Sequence, residues 1–245
     1  MLDDAHAWAL DSLSPYEREF YRLEVEERPP DVYRDRLRRI GFEGMGNVLD
    51  VACGLGQWTL ALAELNGSAQ GIDISVDRLL MANLLAKSRG ATNVAFRWAR
   101  MESLPFDDDS FDGAFCYGAF MFGDGTATCR ELKRVLKSGA RLYVNANGAG
   151  LYLRRLSRSR PLSRDTARSM IGFAQMTANR IAGRYKNSLY SRRRLARLFE
   201  SHGFVVDEVA DEGKSGSERV PAAAFYPGRV HGLDGVFEVL AHKPG

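Results

Sequence analysis

The chain has 245 residues, 45% hydrophobic and 27% charged, within range for one α/β domain carrying a lid or an insertion. Cys53, Cys116 and Cys129 lack C-x-x-C spacing, and His6, His202, His231 and His242 form no ligand spacing with a neighbouring acid, so neither a disulfide framework nor a metal site is expected. A net charge of +3, an N-terminus of acids without a signal-peptide core and no apolar run of spanning length predict a cytoplasmic protein made without targeting.

Residues 1–46 read as amphipathic helices. Ser14-Pro15 looks like a helix start, followed by Tyr16, Phe20, Tyr21 and Leu23 among charges. Pro29-Pro30 breaks that helix, Asp31 caps a second one with Val32, Leu37 and Ile40 on one face, and Gly41 ends it.

Val48 to Glu64 (VLDVACGLGQWTLALAE) reads as strand, small-residue turn, helix. Glycines let the backbone pass close to a ligand, and a helix N-terminus offers unpaired N–H groups with partial positive charge. A dinucleotide fingerprint needs G-x-G-x-x-G, but here Thr59 occupies the third glycine's place and an acid, Asp50, precedes the turn. The string D-x-x-C-G-x-G-x-W over 50–58 instead resembles the first motif of class I S-adenosylmethionine (SAM)-dependent methyltransferases.

Ala69 to Ser75 is a short buried strand ending in an acid. Asp73 falls 17 residues after Gly56, the distance one helix and a returning strand require. In a doubly wound sheet the two strand ends then lie side by side with the ligand across them. A carboxylate there can accept hydrogen bonds from both ribose hydroxyls, or it can cap the next helix, a task open also to Ser75. The string GIDIS resembles the same family's second motif. A helix over 76–90 follows, stopped at Gly90, and Asn93 to Trp98 is the third strand.

Ala99 to Asp112 (ARMESLPFDDDSFD) resembles the loop and fourth strand of the ubiquinone and menaquinone C-methyltransferases, where G-D-A-E-x-L-P-F-x-D-x-S-F-D is usual. Glu102, Leu104, Pro105, Phe106, Asp109, Ser110, Phe111 and Asp112 match. Arg100 does not. The family has an acid there that accepts a bond from adenine, and a guanidinium only donates. The expectation is that Met101 and Glu102 frame adenine, with Arg100 exposed or salt-bridged.

Phe111 to Phe122 is predicted as a strand running over the carboxyl edge. Tyr117, Phe120, Met121 and Phe122 then serve either as core or as the methyl-transfer pocket the family places there, where aromatic and thioether groups favour a sulfonium. A helix opens at Thr126 or Thr128 and runs through Cys129–Lys137, and a strand covers Ala140–Ala146. ELKRVLKSGARLYV resembles a further, structural family string.

Between Leu151 and Arg197 there are thirteen Lys or Arg and one acid, Asp165, a local charge of +12 that leaves −9 for the rest. This stretch is either a solvated basic face or a surface meeting an anionic substrate, carrier or partner. Few aromatics accompany the arginines and no RNA-binding signature appears, which argues against nucleic acid. The final elements are a helix from Ser191 to Gly203, a sixth strand over Phe204–Val209, a long loop over Gly213–Gly232 and a last strand over Val236–His242, antiparallel at the sheet edge by the family's pattern.

The resemblance thus implies a class I methyltransferase with a Rossmann-like, doubly wound seven-stranded sheet in a single domain, residues 1–46 as a helical lid and 147–190 as a basic cap. It implies SAM as cofactor and in-line methyl transfer to a small-molecule acceptor, an anionic one among the candidates. RNA, a carrier-bound substrate or a non-catalytic binding role stand as alternatives. Asp50, Ala52, Gly54 and Gly56 would hold the methionine moiety, Asp73 and Ile74 the nucleoside, and Tyr117 would touch the cofactor. Tyr117 and His231 are candidate catalytic groups, and Tyr16, Phe20, Tyr21, Phe120 and Phe122 candidate acceptor contacts.

Overall fold

The computed structural model describes residues 4–158, 164–183 and 186–245, with side chains outside 4–7, 155–158, 164–169 and 180. The expected basic cap over 147–190 therefore falls partly outside the described residues.

Helices α1 (Asp4–Ser12), α2 (Pro15–Tyr21) and α3 (Pro30–Arg39) open the chain, with a π-helical turn at Arg22–Glu27. Ser14 caps α2 in a reciprocal capping box with Glu17. The start of α3 differs from the expectation. Pro30 is its first residue, where a missing N–H costs nothing, and Asp31 lies inside the helix.

Strands β1 (Asn47–Val51), β2 (Ser68–Asp73) and β3 (Val94–Trp98) alternate with helices α4 (Gln57–Leu65) and α5 (Val76–Ser88). Then come β4 (Phe111–Tyr117), α6 (Gly125–Val135), β5 (Leu136–Asn147), α7 (Ala149–Arg158), α8 (Arg164–Ile181), α9 (Arg192–Ser201) and β6 (Val205–Asp211). A two-residue-per-strand hairpin, β7 (Arg229–Val230) and β8 (Leu233–Asp234), precedes the final strand β9 (Val236–His242).

Seven strands form one sheet in the order β3-β2-β1-β4-β5-β9-β6, parallel except for β9, which runs antiparallel to both its neighbours. This is the doubly wound sheet that the motif order predicts. Strands buried on both faces read as near-continuous apolar runs, as in Val48, Leu49 and Val51, all without exposure. On one face α6 and α9 cover Phe111, Cys116, Leu142 and Val144. On the other, α3 and α4 cover Val48, Phe115, Tyr143 and Leu240.

Three boundaries shift, each for a local reason. β4 stops at Tyr117 because Gly118 turns to φ +70°, and Phe120–Phe122 is a 3-10 turn, not strand. Asp124, not a threonine, caps α6, accepting from Thr126 and Ala127 N–H at 3.0 and 3.1 Å. Leu136 and Lys137 are strand, since Leu136 pairs with Phe111 across a bulge.

Candidate functional site

The carboxyl ends of β1 and β2 meet at the glycine turn. Ala52, Gly54 and Gly56 all have positive φ (61°, 56° and 83°). At Gly56 a Cβ would lie 2.9 Å from both Ala82 Cβ and Phe96 Cζ, so close packing against α5 and β3 requires glycine. At Gly54 the position of a Cβ faces open space, so that side of the turn is a cradle rather than a packed surface. Leu55, between them, packs with Ala9, Leu13 and Tyr21, which ties the N-terminal helices to the turn. Glu17 and Arg78, 2.7 Å apart, add a second tie, from α2 to the start of α5.

Asp73 is 4% exposed. Its Oδ2 accepts the Gly54 N–H at 3.0 Å and its Oδ1 the Ser75 N–H at 2.9 Å. Each carboxylate oxygen offers two acceptor positions, so one on each remains. Capping of α5 falls to Ser75, whose Oγ accepts from Arg78 N–H. Ile74 beside it is 61% exposed, an apolar surface at the lip of the cradle, and its carbonyl is braced by Trp98 Nε1 at 2.9 Å. Asp50 is 2% exposed and accepts from Thr59 Oγ1 at 2.6 Å. Burial pushes its pKa up to about 7; the Thr59 bond opposes this and the Asp73 charge adds to it.

In the loop after β3, the Arg100 guanidinium is exposed and lies 3.5 Å from Glu102. The Glu102 side chain turns inward, where Oε1 accepts the Asp124 N–H at 2.9 Å, and the Met101 side chain packs against Gly123. Glu102 therefore fastens the loop to the start of α6 through Oε1.

Past β4, the expected pocket residues separate. Phe122 is exposed, at the end of its turn. Phe120 is fully buried, its ring 5.8 Å from Tyr190 and 5.4 Å from Phe199, and presents no surface to an acceptor; it is core. Among the N-terminal aromatics Tyr16 is exposed, Phe20 half-buried and Tyr21 buried in the cluster over the turn. Tyr117 does lie at the carboxyl edge, but its hydroxyl donates to Glu212 Oε1 at 2.7 Å. Burial, with the Glu212 carboxylate next to it, raises its pKa well above that of a free phenol, so Tyr117 is a donor and not a base. His231, at φ +50° beside Gly232 at +78°, is the exposed first residue of the β7–β8 turn, a place set by the hairpin.

The residue pattern did not mark a buried polar network around Arg36. Arg36 of α3 is buried beneath the carboxyl edge and faces two buried carboxylates, Glu238 at 2.5 Å and Glu212 at 3.0 Å. Glu238 also accepts from Tyr143 Oη at 2.7 Å and from Lys214 and Ser215 N–H. Glu212 also accepts from Tyr117, Phe225 and Tyr226 N–H. Glu238 thus accepts four hydrogen bonds and Glu212 three, with the Arg36 guanidinium beside it as an ion pair. Desolvation works against the Arg36 charge, but the tyrosines and glutamates outweigh it and raise its pKa.

This network pins the 212–227 loop over the edge. It sets Phe225 against Tyr33, Trp58 and Tyr117, under the Arg28 guanidinium 3.8 Å above its ring. One signal was present, an acid within the apolar strand VFEVLAH. Asn145 lies in register between Tyr117 and Glu238, 1% exposed, with neither end of its amide bonded.

A family model described as a methyltransferase domain matches residues 43–175, more than half of the chain. The chain belongs to the methyltransferase domain family. It is 39% identical over 98 residues to the methyltransferase YcgJ of Bacillus subtilis, covering 40% of this chain and 39% of that protein. It is 35% identical over 114 residues to the demethylmenaquinone methyltransferase of Geobacillus stearothermophilus, covering 43% of this chain and 47% of the relative. The chain thus matches less than half the length of these curated relatives. A SAM-dependent methyltransferase from Aquifex aeolicus superposes with a TM-score of 0.58 at 19% identity, over 97% of this chain and 98% of the other, which shows the shared fold.

The cofactor of the family is SAM, and the cleft fits it. The cradle beside Gly54 is open, Asp73 keeps one acceptor position on each oxygen, and Ile74 offers a flat apolar lip. Among the described residues no helix is long and apolar enough to cross a membrane.

Proposed function

We propose that this methyltransferase-family chain moves the SAM methyl group to a small-molecule acceptor by in-line displacement. The observation that carries this reading is Asp73, held by Gly54 and Ser75 N–H groups at the end of β2 with one acceptor position left on each carboxylate oxygen.

In this reading Asp73 accepts from the ribose hydroxyls, Ile74 packs on adenine, and the backbone of Met101 and Glu102 meets its edge. Asp50, Ala52, Gly54 and Gly56 surround the methionine end. When bound, the cofactor supplies a methyl on a sulfonium whose departure leaves a neutral thioether. The chain's task is then alignment and exclusion of water rather than leaving-group protonation.

Tyr117, Trp58 and Phe225 would form one wall of the acceptor mouth and exposed Phe122 another. Helices of 1–46, with Tyr16 and Phe20 at their surface, would act as a lid through the Leu13, Tyr21 and Leu55 packing. Tyr117 would position the acceptor as a hydrogen-bonded phenol. His231 remains a candidate only if an acceptor reaches the β7–β8 turn. A test is incubation with labelled SAM and a panel of small acids, phenols and sugars, read by mass. A gain of one methyl on an acceptor is expected, and its abolition by Asp73→Ala. Turnover undiminished in that variant would remove the assignment.

A further inference from the structure

A second concavity, distinct from the cofactor cleft, lies where α9 begins. It has a volume of about 280 Å³ and is lined by Gly183, Ser191, Arg193, Arg194 and Arg197. Its arginines differ from their neighbour Arg192. That residue is spent on the fold, bound to Asp234 at 2.7 Å and also to Asp211. Arg193 and Arg197 are exposed one turn apart on α9, and among the described residues no carboxylate pairs with either. Like charges at this spacing repel, so packing gives no reason for the arrangement. Arg194 lines the same hollow, its guanidinium 5.7 Å from the Tyr190 ring. The facing wall is Gly183, with φ +72° and open space where a Cβ would stand.

The fold puts this hollow on the working edge of the sheet. α9 joins β6 through a short turn and runs back along it, so its first residues lie at the carboxyl edge. The segment before it is fastened to the turn after β4 by Asn187 N–H to Gly123 O at 3.0 Å and Ser188 N–H to Met121 O at 3.1 Å.

We propose that this hollow binds a phosphate-bearing group, a diphosphate or phosphomonoester, on the acceptor. The identity of the ligand as acceptor rests on the methyl-transfer reading above; the anion site itself does not. Three guanidinia converge on one concavity. A carboxylate would neutralise one of them, whereas a phosphate group brings more charge and more acceptor oxygens to their planar forks. The volume is below that of a pocket for a whole drug-sized ligand and suits one charged end of a longer molecule. Nucleic acid fits less well. Among the described residues the lining has no aromatic for base stacking, and the Tyr190 ring near Arg194 is fully buried.

The test is calorimetric titration of the full chain with inorganic pyrophosphate at low ionic strength, for the wild type, R193A/R197A and R193E/R197E, each also titrated with SAM. The wild type should bind one pyrophosphate, about tenfold or more weakly in R193A/R197A and not measurably in R193E/R197E, with affinity falling as salt rises. SAM affinity should stay within about twofold in all three, which also shows that the variants are folded. Absence of pyrophosphate binding by the wild type, or binding unchanged in both variants, would overturn the site. A single-stranded RNA bound about a hundredfold more tightly than pyrophosphate through the same arginines would replace it with a nucleic-acid surface. Arginine-dependent pyrophosphate binding without any SAM binding would leave the anion site standing and sink the methyl-transfer reading instead.

Discussion

Gly54 donates its backbone N–H to Asp73 Oδ2 at 3.0 Å, joining the turn after β1 to the last residue of β2. Asp73 thereby shapes the cradle as well as lining it. Asp73→Ala is expected to weaken SAM binding about tenfold or more, through the loss of charge-assisted hydrogen bonds and of the turn's anchor. Calorimetry reads this directly, and an unchanged affinity would show that the carboxylate does not meet the ribose.

Asp50 is expected to make stability depend on pH. Its folded pKa of about 7 lies above the ordinary 3.8. Between those values the folded chain holds a proton that the unfolded chain has released. Stability therefore falls as pH rises through that window and is flat above it, a cost approaching about 4 kcal/mol for roughly three pKa units. Asp50→Asn removes the titration. The stability gap between variant and wild type should move in the variant's favour by about 2–3 kcal/mol from about pH 5 to pH 8. Urea unfolding at the two pH values measures it, and a constant gap would contradict the assigned burial.

Arg36 sets one guanidinium against two carboxylates, Glu212 and Glu238, with all three side chains almost wholly out of water. Arg36→Met should destabilise the fold by about 3–5 kcal/mol, because two buried carboxylates lose the guanidinium that faces them. Limited proteolysis should then cut within 213–226, the loop those carboxylates hold. Retained stability and an intact loop would mean that the network does not carry that segment.

Asn145 carries an unbonded amide between Tyr117 and Glu238. Asn145→Leu keeps its size and removes the unmet groups, and should stabilise the chain by about 1 kcal/mol. Thermal unfolding would show it. A marked loss of stability would instead reveal a bound water that the amide holds.

The cofactor half of the molecule was legible because its chemistry is local. Asp50, the glycine turn and Asp73 sit at fixed spacings around one strand-helix-strand unit, and the sheet order follows from their succession. The acceptor half was not. Phe120 and Phe122 are the two ends of one 3-10 turn, which sends one ring into the core and the other to solvent, and no periodicity marks the difference. Tyr117 stood out in the sequence as a residue at the carboxyl edge, but its partner Glu212 lies 95 residues away, and burial together with that partner keeps its hydroxyl protonated. Arg36 and Glu238 are 202 residues apart. Arg36 carries no local mark, since its helix is rich in arginines that stay at the surface or bond loop carbonyls. In the basic stretch the net charge was visible. The division of labour between Arg192, bound inward, and Arg193 and Arg197, facing the hollow, needed the helix in place.

The cradle beside the hydrogen-bonded pair Gly54 and Asp73 is proposed as a SAM site, and calorimetric titration with SAM and with S-adenosylhomocysteine tests it most directly. One site per chain, with affinity in about the micromolar range and weakened about tenfold or more by Asp73→Ala, is the expected result. No binding of either compound at about millimolar concentration would contradict it.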